Sequence, residues 1–399
     1  MMDNKNRSVP EIRFKGFDDD WTQRKLGEIA EFNPRSILPT TFEYVDLESV
    51  VGTSLIYHRT ENADTAPSRA QRLAQKGDVF YQTVRPYQMN NYLYDLSFDN
   101  FVFSTGYAQL KPSGDSYFLL SRLQEKKFVA DVLDKSTGTS YPAINSSDLA
   151  KIKVGIAPNI HEQSKIGSFF RTLDDIIHAT QQKVTGLKQL KAAYLQQMFP
   201  QDGQKVPRVR FEGFSGDWND MKLGEIAETY SGGTPSVGIR SYYNGVIPFI
   251  RSAEINSDKT ELYLSNDGLK NSSAKMVNVG TILYALYGAT SGEVGRSKIA
   301  GAINQAILAI EPKDHYNSEF ISQWLRRQKE SIVSTYLQGG QGNLSAAIIK
   351  ELPITTPLLS EQTAIGNFLC NLDMQIEIQS EKAEKLKQLK VAYLQKMFI

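Results

Sequence analysis

The chain has 399 residues, of which 41% are hydrophobic and 22% charged, and its formal net charge is +1. That is enough apolar material for sizeable cores in two or three domains of ordinary globular composition, and the near-neutral balance leaves nucleic-acid binding open. No window approaches eighteen apolar residues and no apolar run follows the first charges, so neither a membrane helix nor a secretory signal is expected. The single cysteine, Cys370, excludes an intramolecular disulfide and fits a reducing cytoplasm. His58, His161, His178 and His315 are scattered without metal-ligand spacing, so no metal site is expected.

The first recognisable block is Val9-Pro-Glu-Ile-Arg-Phe-Lys-Gly-Phe-Asp-Asp-Asp-Trp21, followed by Lys25-Leu-Gly-Glu-Ile-Ala-Glu31. The block returns as Val206-Pro-Arg-Val-Arg-Phe-Glu-Gly-Phe-Ser-Gly-Asp-Trp218 and Lys222-Leu-Gly-Glu-Ile-Ala-Glu228, an offset of 197 residues. A second repeat closes each half. Leu187–Phe199 and Leu386–Phe398 differ at two of thirteen positions, with an offset of 199. The chain is therefore a duplication with matching ends.

Between the ends lie two middles, residues 32–150 and 229–350, rich in β-branched and aromatic runs punctuated by turn formers. Gly77–Val84, Asn100–Ser104, Gly245–Ile250, Val279–Tyr287 and Ala302–Ile310 read as strands of mixed domains. Beyond this texture the two middles show no common register.

Each half then passes a proline (Pro158, Pro357) and a short loop to Glu-Gln (Glu162-Gln163, Glu361-Gln362), after which a long helical pattern begins. Three- and four-residue apolar steps through Ile166, Phe170, Leu173, Ile177, Leu187, Leu190 and Tyr194 predict one amphipathic helix. Ile365, Leu369, Leu372, Ile376, Leu386, Leu389 and Tyr393 predict a second. About 35 residues of helix span roughly 50 Å. Pro200 stops the first, and Gln201–Lys205 link to the second half. Two near-identical stripes make each other the natural partner, and the pseudo-twofold relation of the halves favours an antiparallel coiled coil.

Catalytic signatures are missing. No phosphate-binding G-x-x-x-x-G-K-[ST] is present, and Gly288-Ala-Thr-Ser-Gly-Glu-Val-Gly295 reads as a turn between strands. Arg85-Pro-Tyr87 lacks the first residue and second proline of the Asn/Asp-Pro-Pro-Tyr methyltransferase motif. No G-x-S-x-G elbow exists, and Cys370 has no histidine near it in sequence, so a binding protein is expected.

The middles do carry groups suited to reading DNA bases, since Arg pairs bidentately with guanine and Asn or Gln with adenine. In the first these are Gln82, Arg85, Tyr87, Gln88, Asn90 and Asn91, concentrated in one predicted loop. In the second they are Ser231, Thr234, Arg240, Tyr242, Asn244, Asn304, Gln305, Gln341 and Asn343. Glycines in Ser231-Gly-Gly-Thr-Pro235 and Gln338-Gly-Gly-Gln-Gly-Asn343 would let backbone amides approach a phosphate. Asn304 and Gln305 read equally as structural hydrogen bonders in a strand.

Several marks together resemble one family across nearly the whole chain. They are the two Lys-Leu-Gly-Glu-Ile-Ala blocks, the Pro…Glu-Gln-x-x-Ile-Gly runs ending at Gly167 and Gly366, and the Leu…Tyr-Leu-Gln-x-Met-Phe endings. The second middle adds Ser231-Gly-Gly-Thr-Pro-Ser236, Val246–Ile250, Gly288–Gly292 and Ile303-Asn-Gln305. The chain resembles the specificity subunit of type I restriction-modification systems. Val84-Arg-Pro-Tyr87 departs from the second pattern and points to a different subtype of recognition domain in the first middle.

The resemblance implies an α+β chain: two pseudo-symmetric mixed α/β target recognition domains joined by two long helices forming an antiparallel coiled coil. The expected division is a first recognition domain over 1–155, a central spacer helix over 156–200 and a linker over 201–205. A second recognition domain over 206–355 and a terminal spacer helix over 356–399 complete it. Each domain would read one half of a split, asymmetric target in double-stranded DNA, with the helices setting the gap. The chain would be non-catalytic, bind no cofactor itself, and dock two methyltransferase subunits and the restriction motor and nuclease subunits. S-adenosylmethionine, ATP and Mg2+ would belong to those partners. The rival reading is a tandem-repeat coiled-coil scaffold whose middles bind proteins.

Overall fold

The computed structural model describes residues 9–201, 203–337 and 343–399. They form two compact units. The first takes the chain up to Gln182 and adds Ser380–Ile399; the second is Lys183–Gln379. Each therefore holds part of both long helices, Ile160–Gln197 and Leu359–Lys396, of 38 residues apiece.

Within the first unit, one antiparallel sheet has the order Ala30–Phe32, Tyr107–Pro112, Val79–Gln82, Tyr92–Leu93. A second sheet has the order Arg59–Asn62, Thr41–Val45, Phe101–Ser104, Ala70–Leu73. In it Thr41–Val45 and Phe101–Ser104 run parallel, with Phe101 opposite Glu43. The second unit repeats this plan strand for strand. Its first sheet is Ala227–Ser231, Ile307–Pro312, Ile282–Ala285, Val294–Arg296. The second is Leu262–Leu264, Ile247–Ile250, Gly301–Ile303, Lys275–Val277, again with one parallel pair, Ile247–Ile250 beside Gly301–Ile303. The middles that share no legible register thus share a topology.

Val79–Gln82 and Ile282–Ala285 are buried at every position, because each lies in a sheet covered on both faces. The two-residue period sends alternate side chains to different cores. Val79 and Tyr81 join a core containing Trp21, Phe118 and Phe170, whereas Phe80 stacks on Phe103 at 3.7 Å on the other side. Ile282 and Tyr284 join Trp218 and Phe320 in the corresponding core, and Leu283 and Ala285 join Ile250 and Ile303 on the other side.

The repeated sequence blocks build the frame of each unit. Leu26–Ile29 and Leu223–Ile226 are single helical turns, closed when Glu28 and Glu225 accept the backbone N–H of Lys25 at 3.3 Å and Lys222 at 2.8 Å. Glu162 is fully buried and takes a bidentate pair from Arg13 at 2.7 and 2.9 Å; Glu361 takes the same pair from Arg210 at 2.7 and 2.7 Å. Gln163 donates to the Ala157 carbonyl and accepts from the Asp115 amide, as Gln362 does with Pro357 and Asn317. Asp115 and Asn317 in turn cap the helices that follow them, accepting from Phe118 and Phe320. Gly167 and Gly366 face those caps so closely that a Cβ there would meet the Phe118 nitrogen at 2.9 Å and the Asn317 Oδ1 at 2.9 Å.

The long helices exchange units. The central one begins with Ile166 and Phe170 in the first core and delivers Met198 and Phe199 to the second. The terminal one begins with Ile365 and Leu369 in the second core and returns Leu394, Met397 and Phe398 to the first. In the first unit Phe169 meets Tyr393 edge-on at 5.0 Å; in the second, Tyr194 meets Phe368 at 4.8 Å. The start of each helix packs on the end of the other, which is an antiparallel pairing. Each fold is thus α+β, with the two helices packed together.

Three local readings change. The helices start at Ile160 and Leu359, so Glu162-Gln163 and Glu361-Gln362 sit in their first turns, where carboxylate and amide serve neighbouring backbone and arginine. Ala302–Ile310 is not one strand: Asn304 Oδ1 accepts the Ala306 amide at 3.1 Å, turning the chain from one sheet to the other between Gly301–Ile303 and Ile307–Pro312. Leu190 and Leu389 lie outside the packed seam, each 44% exposed. Ile166, Phe170, Leu173, Ile177, Ile365, Leu369 and Leu372 are buried, and Leu187, Tyr194, Ile376, Leu386 and Tyr393 are half-buried.

Candidate nucleic-acid interface

In the first unit the loop after Val79–Gln82 is shaped by its own amides. Gln82 is 1% exposed; its Nε2 donates to Gln88 Oε1 at 2.8 Å and its Oε1 accepts from the Asn90 amide at 3.3 Å. Asn91 is also 1% exposed, and its Oδ1 accepts the Gln82 amide at 2.8 Å. Gln82 and Asn91 therefore face inward and hold the loop, which corrects their reading as base contacts. Asn90 accepts from the Gly52 amide at 2.8 Å, tying the loop to the Val50–Leu55 hairpin. Tyr87 and Gln88 are exposed.

Arg85 and Met89 flank the short turn Pro86–Gln88, both in the left-handed region with φ of 55° and 56°. A non-glycine residue held there costs about 1–3 kcal/mol, so surrounding bonds must enforce it. Such bonds are present: the Arg85 amide donates to the Pro142 carbonyl at 2.8 Å, the Ile144 amide to Thr83 at 3.0 Å, and Gln124 Nε2 to Met89 at 3.1 Å. The Arg85 guanidinium lies over the ring of Tyr141, 4.5 Å from its centroid. Sequence reasoning misses Tyr141 and the Thr137–Ala143 loop. A signal exists: this loop precedes Ile144 as Gln338–Asn343 precedes Leu344, and the Leu344 amide bonds to Leu286 as Ile144 bonds to Thr83.

In the second unit the equivalent loop, between Ile282–Ala285 and Val294–Arg296, is a turn with Gly288 and Gly292 at φ of 89° and 81°. Ser231, half-buried, ends the strand Ala227–Ser231. Exposed Thr234 donates to exposed Gln305, and the Tyr243 hydroxyl donates to Pro235 at 2.6 Å, which gathers 231–243 and 304–305 into one surface. Arg240 is exposed and Tyr242 half-buried on the turn Arg240–Tyr243, with exposed Asn244 beside them. Asn304 is half-buried and commits its side-chain oxygen to the Ala306 amide. Gly232 and Gly233 are required by the protein itself: the Gly233 amide donates to Ile303 at 3.2 Å, and a Cβ on Gly232 would strike the same carbonyl. Asn343 is exposed beside Leu344, whereas Gln341 lies outside the described residues.

Two other arginines of these domains are neutralised. Arg59 pairs with Asp46 and Glu61, which raise its pKa. Arg251 pairs with Glu254 and Glu261; although burial opposes it, the Glu254 carboxyl, hydrogen-bonded by Arg251 and two backbone amides, is pulled down to about 2. Among the described residues Arg85 and Arg240 have no carboxylate at ion-pair distance. No group of three or more His, Cys, Asp or Glu among the described residues is arranged to hold a metal ion. No helix among them is long and apolar enough to cross a membrane.

The family model for the type I restriction modification DNA specificity domain matches twice, over residues 18–189 and 215–388. The chain belongs to the type I specificity family. The two matched segments correspond to the two copies of the frame and its middle. The HindI specificity subunit of Haemophilus influenzae is 22% identical over 85% of this chain and 90% of its own length. The MjaIX specificity subunit of Methanocaldococcus jannaschii is 28% identical over 46% of this chain and 44% of its own. Among solved structures, the type I S subunit from M. genitalium has the same fold, with a TM-score of 0.70 over 98% of this chain and 99% of that one at 16% identity. A chain from a structural study of type I system assembly and conformational transition aligns with a TM-score of 0.53 at 22% identity, covering 94% and 97%. This chain carries two target recognition domains on a repeated frame.

Proposed function

We propose that each recognition domain reads one half of a bipartite, asymmetric DNA target and that the paired helices fix the gap between the halves. One observation carries the reading. Two units with the same strand order bear different chemistry in the same topological slot: Arg85-Pro-Tyr87 after Val79–Gln82, and the glycine turn Gly288–Gly292 after Ile282–Ala285. A shared frame with unlike loops is what reading two unlike half-sites requires.

The chain itself supplies positioning and specificity, and two copies of a methyltransferase subunit dock on the repeated frame to methylate adenine at N6. Leu190 and Leu389 support the paired docking. They are the same residue at the same place in each repeat, equally exposed at 44%, and packing within the chain does not require them. S-adenosylmethionine belongs to the methyltransferase subunits, which flip the adenine out of the duplex. ATP and Mg2+ belong to the restriction motor and nuclease subunits. Phosphate contacts give the assembly a salt-dependent affinity.

The test is genome-wide mapping of methylated adenine in cells that carry the partner methyltransferase, with and without this chain. A new split motif is expected only when the chain is present. Replacing residues 32–150 with a foreign middle should change one half of that motif and leave the other intact. A change in both halves, or no split motif at all, overturns the proposal.

A further inference from the structure

We infer that Tyr141 and Arg85 act as one reading head, in which Tyr141 is a positioning residue that holds the Arg85 guanidinium for a guanine in the first half-site; this rests on the DNA-reading proposal above. Four observations converge on the pair. Arg85 has no carboxylate partner among the described residues, and its Nε is buried without a hydrogen-bond acceptor. Its backbone is held at a φ of 55° by the bond to Pro142, the residue after Tyr141. Tyr141 is 64% exposed, an unusual position for a large ring, and its face is covered by the guanidinium at 4.5 Å. The Thr137–Ala143 loop carrying it is closed by reciprocal backbone bonds between Thr137 and Ala143 at 2.9 Å, with Gly138 at a φ of 91°.

The chemistry follows from the shape of arginine. A guanidinium stacked on an aromatic face is fixed in plane while its edge donors stay free. A fixed fork of that kind matches the O6 and N7 acceptors of guanine in the major groove. Adenine offers N7 beside an amino donor, so a pure donor fork is matched at only one of its two positions. Phosphate contact would need neither the ring nor the enforced backbone. An arginine aimed by a strained backbone and a stacked ring is the arrangement expected of a base contact.

The experiment uses the chain with its methyltransferase partner in cells, mapping methylated adenines for wild type, R85K, R85Q, Y141F and Y141A. R85K and R85Q should lose preference for guanine at one position of the first half-site by about 5- to 150-fold, with the second half-site unchanged. Y141F, which keeps the ring, should retain the wild-type motif, and Y141A should relax the same position as R85Q. The intact second half-site reports that each variant folds and assembles. If R85Q lowers methylation evenly at every site without altering base preference, Arg85 is a phosphate contact and the inference falls. If the motif is unchanged in R85Q, or in Y141A, the inference falls while the functional proposal stands. A wild-type chain that yields no split motif overturns both.

Discussion

Lys191 pairs with Asp373 at 2.5 Å, and 199 residues along each helix register the pair recurs with its roles exchanged, Lys390 with Asp174 at 2.6 Å. In one case the lysine comes from the central helix, in the other from the terminal one. Reciprocity of this kind is possible only for an antiparallel pair of like helices, so these four residues define the register.

Asp373 also accepts from Gln323 at 2.8 Å and Arg326 at 2.9 Å, whereas Asp174 accepts from the Tyr117 hydroxyl at 2.8 Å. Removing Asp373 leaves a half-buried Lys191 unpaired and takes one acceptor each from Gln323 and Arg326, and D373A should cost about 2–4 kcal/mol. Hydrogen exchange should then speed up at the Leu359-proximal end of the terminal helix and the end of the central helix. D174A should do the same in the first unit. The reverse pattern of protection would contradict the register.

Phe199 and Phe398 close the exchanged helices inside cores that also hold Trp218 with Phe320 and Trp21 with Phe118. They are 1% and 4% exposed. F199A and F398A should each destabilise their unit by about 3–5 kcal/mol, measured by denaturant unfolding. Mutating one should leave the tryptophan fluorescence transition of the other unit in place.

Arg13 with Glu162, and Arg210 with Glu361, anchor the opening block of each half to the first turn of a long helix. Both glutamates are buried, and Arg13 has its already high pKa raised further by the Glu162 hydrogen bonds. R13M leaves the buried Glu162 without its arginine and should cost about 3–5 kcal/mol, while R13M with E162L should recover much of the loss. Thermal unfolding of the single and double variants checks it.

Gly167 and Gly366 lie against the helix caps made by Asp115 and Asn317. G167A and G366A should each lower stability by about 1–3 kcal/mol through overpacking, although alanine is the better helix former at an open site. Gly186, on the same helix as Gly167, is the control, since a Cβ there would meet nothing within 4 Å. G186A should stabilise by about 0.5–1 kcal/mol, and denaturant unfolding of the three variants checks the contrast.

The repeats are legible because they carry the frame. Arg13, Trp21, the Leu-Gly-Glu-Ile turn, Glu162-Gln163, Gly167, Tyr194 and Phe199 recur at fixed offsets since each meets the same partner in either unit. The candidate site is legible only in part. Gln82 and Asn91 have the right chemistry for reading adenine, yet both are 1% exposed and bonded to the loop they belong to. Tyr141 escapes a reading of the sequence because nothing in the letters brings it to Arg85, 56 residues earlier.

Sequence alone determined the duplication, the strand-rich middles and the two helices, because these rest on local periodicity and on residues repeated in order. Only the tertiary structure decided that both middles share one strand order, that each helix starts in one core and ends in the other, and which polar groups face outward. Those properties depend on contacts between residues far apart in the chain. A strand order is kept by backbone hydrogen bonds that any suitable side chain permits, so the middles can keep their topology while their sequences lose all visible register.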